Sequence, residues 1–336
     1  MTKKHSNDFA FEFYKEYSNI RELLIDSFND TITYYQKIAY SQQIIFNLFV
    51  IGFIIDNGII KKVKSKKLNH EEFFTELLKD DSFLSVFLEI SNFCRTYSTD
   101  RIFSISNQKF YIPFFNIDFF ILLSELDENS VSLSSSSREQ ILNYVLNVLK
   151  NPRFSFDLFG SIFEQDLALL EVLRKDEISV EQEIKILTKL TERRKKGIFY
   201  TPKTVTEYIC RKTVNSYLLE HFNIVDKKLE SAITKMNESE LNEFYDLICE
   251  IKILDPACGA GNFLLETCEL LFNLRIMVLQ KLSKNYNPTN IKKEILISNI
   301  FGVDIQEIAT SITTLRLWLW LLEDYKNKSK RIFYLI

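Results

Sequence analysis

The residues whose types and spacing could do chemistry lie late in the chain, in Ile253-Leu254-Asp255-Pro256-Ala257-Cys258-Gly259-Ala260-Gly261-Asn262-Phe263-Leu264. An apolar run stops there at an acid, small residues follow, and a helical pattern begins, so the backbone turns sharply and can approach a ligand closely. Gly259 and Gly261 are the permissive points. Asp255, at the strand end, can orient the cationic end of a cofactor, directly or through water. A second apolar run, Ile300 to Val303, ends at Asp304. Its carboxylate can accept two hydrogen bonds from vicinal ribose hydroxyls, each worth roughly 1.5–3 kcal/mol as a charged bond. Each feature has a plainer reading: a GxG is also an ordinary tight turn, and Asp304 stands where it could cap the following helix. A dinucleotide site fits less well. The third glycine of GxGxxG falls at Leu264, and Asp304 lies well past the spacing of roughly 20 residues that such a site uses for its ribose acid.

These residues need elements to position them. The apolar run Ile251 to Leu254 predicts one strand and Ile300 to Val303 another. Between them Phe263, Thr267, Leu270, Leu271, Leu274, Met277 and Val278 keep helical spacing. A further helix carries Ile308, Ile312, Leu315, Leu319 and Leu322 on one stripe, and Arg331 to Ile336 could be a third strand. Strand alternating with helix predicts an α/β parallel, doubly wound sheet over residues 191–336. Residues 1–190 are read as an all-helical domain, punctuated at Lys61 to Asn69, at Thr96 to Asp100 and at the serine-rich Ser132 to Glu139, whose serines can cap a helix beginning near Glu139. The aromatic stretch Gln108 to Leu122 suits either a strand or a buried helix.

Composition limits the classes open to the chain. Of 336 residues, 46% are hydrophobic and 14% aromatic, ample for two buried cores. Lys and Arg number 42 against 45 Asp and Glu, so any nucleic-acid contact must come from local patches and not from the overall field. The basic runs Lys61 to Lys67 and Arg193 to Lys196 could touch phosphates or be solvated surface. Five scattered cysteines, with no CxxC pair and no histidine at ligand spacing, predict neither a disulfide framework nor a metal site, and a reducing cytoplasm suits them. Met1 to Asp8 has no secretory pattern. The most apolar run, Ile44 to Ile55, is shorter than the roughly 20 residues that cross a bilayer, and reads as a buried helix.

DPACGAGNF after a strand, preceded by GIFYTP and followed by IFGVDIQ and LRLWLWLL, resembles the N6-adenine-specific DNA methyltransferases of the type IIG restriction-modification family over about Thr191 to Glu323. The resemblance implies a Rossmann-like sheet that binds S-adenosyl-L-methionine. Tyr200, Thr201 and Pro202 would close the pocket over the methionyl moiety, with Thr201 donating to its carboxylate and Gly197 freeing the loop. Asp255, Ala257, Gly259 and Gly261 would line the methionyl and ribose side. Phe263 would pack against the cofactor, Asp304 would hold the ribose hydroxyls, and Ile305 would lie against the adenine. Phe263 and Ile305 also suit ordinary helix-to-sheet packing, and Tyr200 suits a surface loop.

Family members act on adenine through an Asn/Asp/Ser-Pro-Pro-Tyr/Phe loop that follows a later strand and holds a flipped base. This sequence has no Pro-Pro; Asn151 and Asn287 precede proline but lie before the second strand. The expectation is therefore an incomplete sheet with no catalytic residue of its own. The chain would be a fragment, or one half of a split enzyme that a second polypeptide completes on double-stranded DNA, with no turnover alone. A non-catalytic DNA- or protein-binding subunit is the alternative. A small-molecule methyltransferase or dehydrogenase would need a complete sheet. Glu183-Ile184-Lys185 and Glu250-Ile251-Lys252 match the E-x-K of a nuclease, but both read as chance.

Overall fold

The computed structural model describes residues 2–63, 68–78, 88, 101–105, 108–112, 126, 128–151, 160, 201, 203–222, 229–305 and 307–323. The chain divides into two compact units, Met1–Ile198 with Lys326–Leu335, and Phe199–Tyr325 with Ile336.

In the first unit, helices α1 (Thr2–Ile25), α2 (Tyr34–Asp56) and α4 (Ser135–Leu149) pack together, beside a shorter α3 (His70–Leu78). Thr33 and Gln36 start α2 with a reciprocal capping box. The predicted Ile44–Ile55 helix is the inner part of α2. Of its most apolar 18-residue window, 94% is buried inside the protein, which makes α2 a core helix although it is long and apolar enough to span a bilayer. Aromatic rings join the three helices: Tyr144 stacks on Phe13 at 6.1 Å and meets Phe49 edge-on at 5.8 Å. Gly52 lets α4 approach, since a Cβ there would collide with Leu149.

The unit is not all-helical. Strands β1 (Lys61–Lys62), β2 (Arg101–Ile105) and β3 (Gln108–Ile112) form an antiparallel sheet in the order β1-β3-β2. Within β2 and β3, Ile105 and Phe110 are buried while Ile102 and Ser104 are exposed, a two-residue period too short to stand out against the long helices around it. The aromatic stretch from Gln108 thus begins as a strand, and its remainder from Pro113 to Leu122 lies outside the described residues. Phe110 meets Phe73 of α3 edge-on at 5.3 Å. Helix α4 begins at Ser135, four residues earlier than expected, because Ser134 is the cap that accepts from Ser137 N–H. Lys62 of the first basic run is paired with Glu72 at 2.8 Å. The second run, Arg193 to Lys196, and Glu183-Ile184-Lys185 lie outside the described residues.

The second unit contains α5 (Lys203–His221), α6 (Leu229–Lys235), α7 (Glu238–Glu250), β4 (Ile253–Asp255), α8 (Asn262–Lys281), α9 (Pro288–Ser298), β5 (Ile300–Gly302) and α10 (Glu307–Leu322). Strands β4 and β5 pair in parallel, with Ile253 opposite Ile300 and Asp255 opposite Gly302. Both are shorter than expected: Ile251 serves instead as the C-cap of α7, and Val303 follows β5 although its N–H still donates to the Asp255 carbonyl at 2.9 Å. Glu250-Ile251-Lys252 is thus a helix end leading into a strand, with Lys252 donating to the Ser298 carbonyl. Asn287-Pro288 is a helix start: Asn287 accepts from the amides of Thr289 and Asn290, and Pro288 takes the first turn. The predicted third strand, Arg331 to Ile336, lies outside the described residues.

Buried Asn299 ties this unit together. Its amide group donates to the Ile248, Cys249 and Ile251 carbonyls at 3.1, 3.1 and 2.7 Å, satisfying the end of α7, and its Oδ1 accepts from Arg275 at 2.7 Å. Asn299→Ala would leave those carbonyls and the buried guanidinium short of partners. It is expected to cost roughly 2–3 kcal/mol, read as a fall in the urea unfolding midpoint.

Candidate functional site

Strands β4 and β5 end side by side, and the glycine turn from Pro256 to Gly261 joins β4 to α8. Gly259 and Gly261 have φ of 52° and 79°, left-handed values that other side chains adopt only at a cost. Gly261 occupies the N-cap of α8 without a capping side chain. The ladder extends into the turn: Cys258 N–H donates to the Val303 carbonyl at 3.0 Å, so the turn lies against the segment that carries Asp304.

Asp304 does more than follow a strand. Its Oδ2 accepts from Gly259 N–H at 2.9 Å, drawing the second acid onto the glycine turn, whereas α10 begins only at Glu307. Asp255 Oδ1 accepts from Ala257 N–H at 3.1 Å, and Gly261 N–H donates to the Cys258 carbonyl at 2.8 Å. The amides of Ala257, Gly259 and Gly261 are therefore occupied within the protein. A phosphate-binding glycine loop works through outward-pointing amides. This turn presents instead a pair of carboxylates, Asp255 and Asp304, suited to a positive group and to hydroxyls.

The other predicted site residues divide. Ala257 is exposed on the turn, and Gly259 and Asp304 are half-buried. Ile305 is 99% exposed just beyond Asp304, so it packs against no helix. Phe263 is half-buried in the first turn of α8, and its carbonyl accepts from the Thr267 hydroxyl at 2.7 Å. Thr201 is half-buried immediately before α5. Gly197, Tyr200 and Pro202 lie outside the described residues. Cys258 is buried within the turn, and that burial raises its thiol pKa against the opposing effect of a hydrogen bond with Thr313, with the two acids adding to the rise. The thiol is neutral near pH 7 and is no ready nucleophile. Among the described residues no cluster of three or more metal-ligating side chains occurs.

Two contributors were not anticipated from the sequence. Thr313 Oγ1 donates to the Gly259 carbonyl at 2.7 Å, and Arg316 donates to the Ala260 carbonyl and to Asn262 Oδ1 at 2.8 Å. Both side chains come from α10 and are buried. The only hint was a basic residue inside the apolar LRLWLWLL run, where a charge must find partners. Lys292 of α9 anchors the far end of α10: it donates to the Trp320 carbonyl at 2.9 Å and sits 4.4 Å from the centre of the Trp320 ring.

The family described as MmeI, DNA-methyltransferase domain, matches residues 229–331, which take in β4, the glycine turn, Asp304 and α10. A type II restriction enzyme and methyltransferase of Methanocaldococcus jannaschii is 28% identical over 301 residues, 82% of this chain and 24% of that protein. Another type II restriction enzyme and methyltransferase, of Escherichia coli, is 28% identical over 228 residues, 65% of this chain and 20% of its own length. DNA methyltransferase A of Bacillus subtilis is 28% identical over 129 residues, 34% of this chain and 15% of that one. The chain thus spans about a quarter or less of these relatives. In fold it is similar to the type IIL restriction-modification enzyme MmeI, solved in complex with DNA: the TM-score is 0.53 at 19% identity, over 97% of this chain and 38% of that one.

Proposed function

We propose, from the premise that this chain is related to the type II restriction-modification methyltransferases, that its second unit is the S-adenosyl-L-methionine-binding part of a site-specific DNA adenine-N6 methyltransferase. The observation that carries this reading is the pair of carboxylates at the ends of β4 and β5 around a turn whose amides at Ala257, Gly259 and Gly261 are already occupied. A dinucleotide's pyrophosphate would find few donors and two repelling acids there. A sulfonium cofactor has a positive methionyl end and a neutral ribose diol, and both match acids. The residues present fit that group: the left-handed Gly259 and Gly261 keep the turn free of side chains, and exposed Ile305 offers an apolar surface for a planar base. Bound there, S-adenosylmethionine would supply the methyl group. Asp255 would orient the methionyl end, Asp304 the ribose, Phe263 would flank the cofactor, and Tyr200, Thr201 and Pro202 would close over it.

Under this reading β4 and β5 begin a Rossmann-like sheet, and the loop that holds adenine comes from a further segment or a second polypeptide. The support is an uncovered sheet face. Leu254, Phe301 and Val303 are 60%, 44% and 56% exposed on the side opposite Ile253 and Ile300, whereas parallel sheets are normally covered on both faces. Double-stranded DNA would be the substrate of the completed enzyme, acting in the cytoplasm.

Calorimetric titration of the chain with S-adenosylmethionine tests the proposal. Saturable binding near one equivalent is expected, with no binding of NAD, and no methylation of DNA by the chain alone. Absence of cofactor binding would favour a non-catalytic DNA- or protein-binding subunit. Methylation by the chain alone would contradict the need for a completing segment.

A further inference from the structure

We propose that Thr313 and Arg316 are positioning residues that hold the glycine turn in its ligand-ready shape from helix α10. The inference rests on the cofactor reading above, and adds that α10 sets the affinity of the site without touching the ligand.

The two residues stand three apart, on one face of α10. From there they reach successive carbonyls of the turn, Thr313 that of Gly259 and Arg316 that of Ala260. Arg316 also binds Asn262 Oδ1, the first residue of α8, so one guanidinium spans the end of the turn and the start of the helix. Gly259 is gripped on both sides, its carbonyl by Thr313 and its N–H by Asp304. The contact is close: a Cβ on Gly261 would lie 2.7 Å from Thr313 Cγ2.

A turn with glycines at 259 and 261 has little conformational preference of its own, because glycine enters left-handed and right-handed regions with similar ease. Left unsupported, the turn would sample many shapes, and ligand binding would have to bear the entropy of selecting one. Hydrogen bonds from α10 supply that selection in advance. Helix α10 is itself fixed at its far end, where Lys292 holds the Trp320 carbonyl and Trp320 Nε1 donates to Glu269 of α8 at 2.9 Å. The helix therefore works as a splint between the start of α8 and its middle.

The test uses the full chain with Thr313→Val, Thr313→Ser and Arg316→Met, each checked for cooperative unfolding. Hydrogen–deuterium exchange is followed on peptides covering 256–264 and 268–280, beside calorimetric titration with S-adenosylmethionine well below the unfolding temperature. In Thr313→Val, which keeps the side-chain shape but removes the donor, exchange of the turn peptide should rise about tenfold while the α8 peptide is unchanged. Cofactor affinity should fall about 5- to 20-fold, in line with the loss of the buried hydrogen bonding of the Thr313 hydroxyl to the turn, and Thr313→Ser should restore both. Arg316→Met should show the same pattern, more strongly. Unchanged exchange at the turn in folded Thr313→Val would overturn the proposal, as would a rise spread evenly over both peptides. If the turn loosens as expected but the parent chain binds no S-adenosylmethionine, the positioning role stands and the cofactor reading falls.

Discussion

Asp304→Ala is expected to bind S-adenosylmethionine at least roughly 100-fold more weakly than the parent chain, since under the proposed reading it removes two charged hydrogen bonds to the ribose worth roughly 1.5–3 kcal/mol each. The residue has a second duty, because its Oδ2 also accepts from Gly259 N–H at 2.9 Å. Alanine therefore removes the proposed ligand contact and loosens the turn at once. Asp304→Asn separates the two. Its carbonyl oxygen can still accept from Gly259, so the turn should keep its shape, while the neutral amide accepts less strongly from the diol and affinity should fall by roughly tenfold. Calorimetric titration of both variants, with unfolding midpoints measured alongside, gives the comparison. Equal affinity in the parent and Asp304→Ala would remove Asp304 from the cofactor site.

The second large effect is structural. Gly261→Ala places a Cβ on a residue at φ 79°, 2.7 Å from Thr313 Cγ2 and 2.8 Å from Thr313 Oγ1. The left-handed conformation costs roughly 1–3 kcal/mol and overpacking against a buried side chain a similar amount. A loss of roughly 3–5 kcal/mol in urea unfolding is expected, with cofactor binding abolished. The double variant Gly261→Ala with Thr313→Ala removes the two closest atoms but leaves the backbone strain and a Cβ–Cβ approach of 3.2 Å, and it gives up the hydrogen bond from Thr313 to the Gly259 carbonyl, so it should recover less than half of the loss. Full recovery would mean that the backbone at this turn is less constrained than its φ implies.

What the sequence disclosed about the site is what short-range pattern can carry. Two apolar runs ending in acids, with glycines after the first, placed Asp255 and Asp304 at neighbouring strand ends, and the structure brings Asp304 onto Gly259. Whether Asp304 would instead cap a helix could not be read from spacing, because it depends on how far β5 and the turn approach each other. The supporting residues Thr313, Arg316 and Asn299 were not visible. Each is a polar residue inside or beside an apolar stripe, and its meaning lies in a carbonyl or guanidinium brought near by the fold; Arg316 and the Gly259–Ala260 turn are more than fifty residues apart. Arg275 shows the same logic: within the apolar helix α8 it is buried and meets Asn299 and Glu294. A buried basic residue on an apolar stripe is the one sequence signal that could have drawn attention to these positions.

The fold of the first unit was legible only in part. Long helical periodicities in α1, α2 and α4 dominate their surroundings, and the short antiparallel sheet is hidden among them because five-residue strands give only two or three alternations. Its third strand depends on pairing Lys61 with Tyr111, fifty residues away, a non-local fact.

Under the proposed function, β4, the glycine turn and Asp304 together form an S-adenosylmethionine site. Ultraviolet crosslinking of radiolabelled S-adenosylmethionine to the purified chain, followed by mapping of the labelled peptides, tests it most directly. Saturable label confined to peptides from 253–263 and 300–305, and lost in Asp304→Ala, is the predicted result. Label that falls within residues 1–198 only, or that an excess of unlabelled cofactor fails to displace, would contradict it.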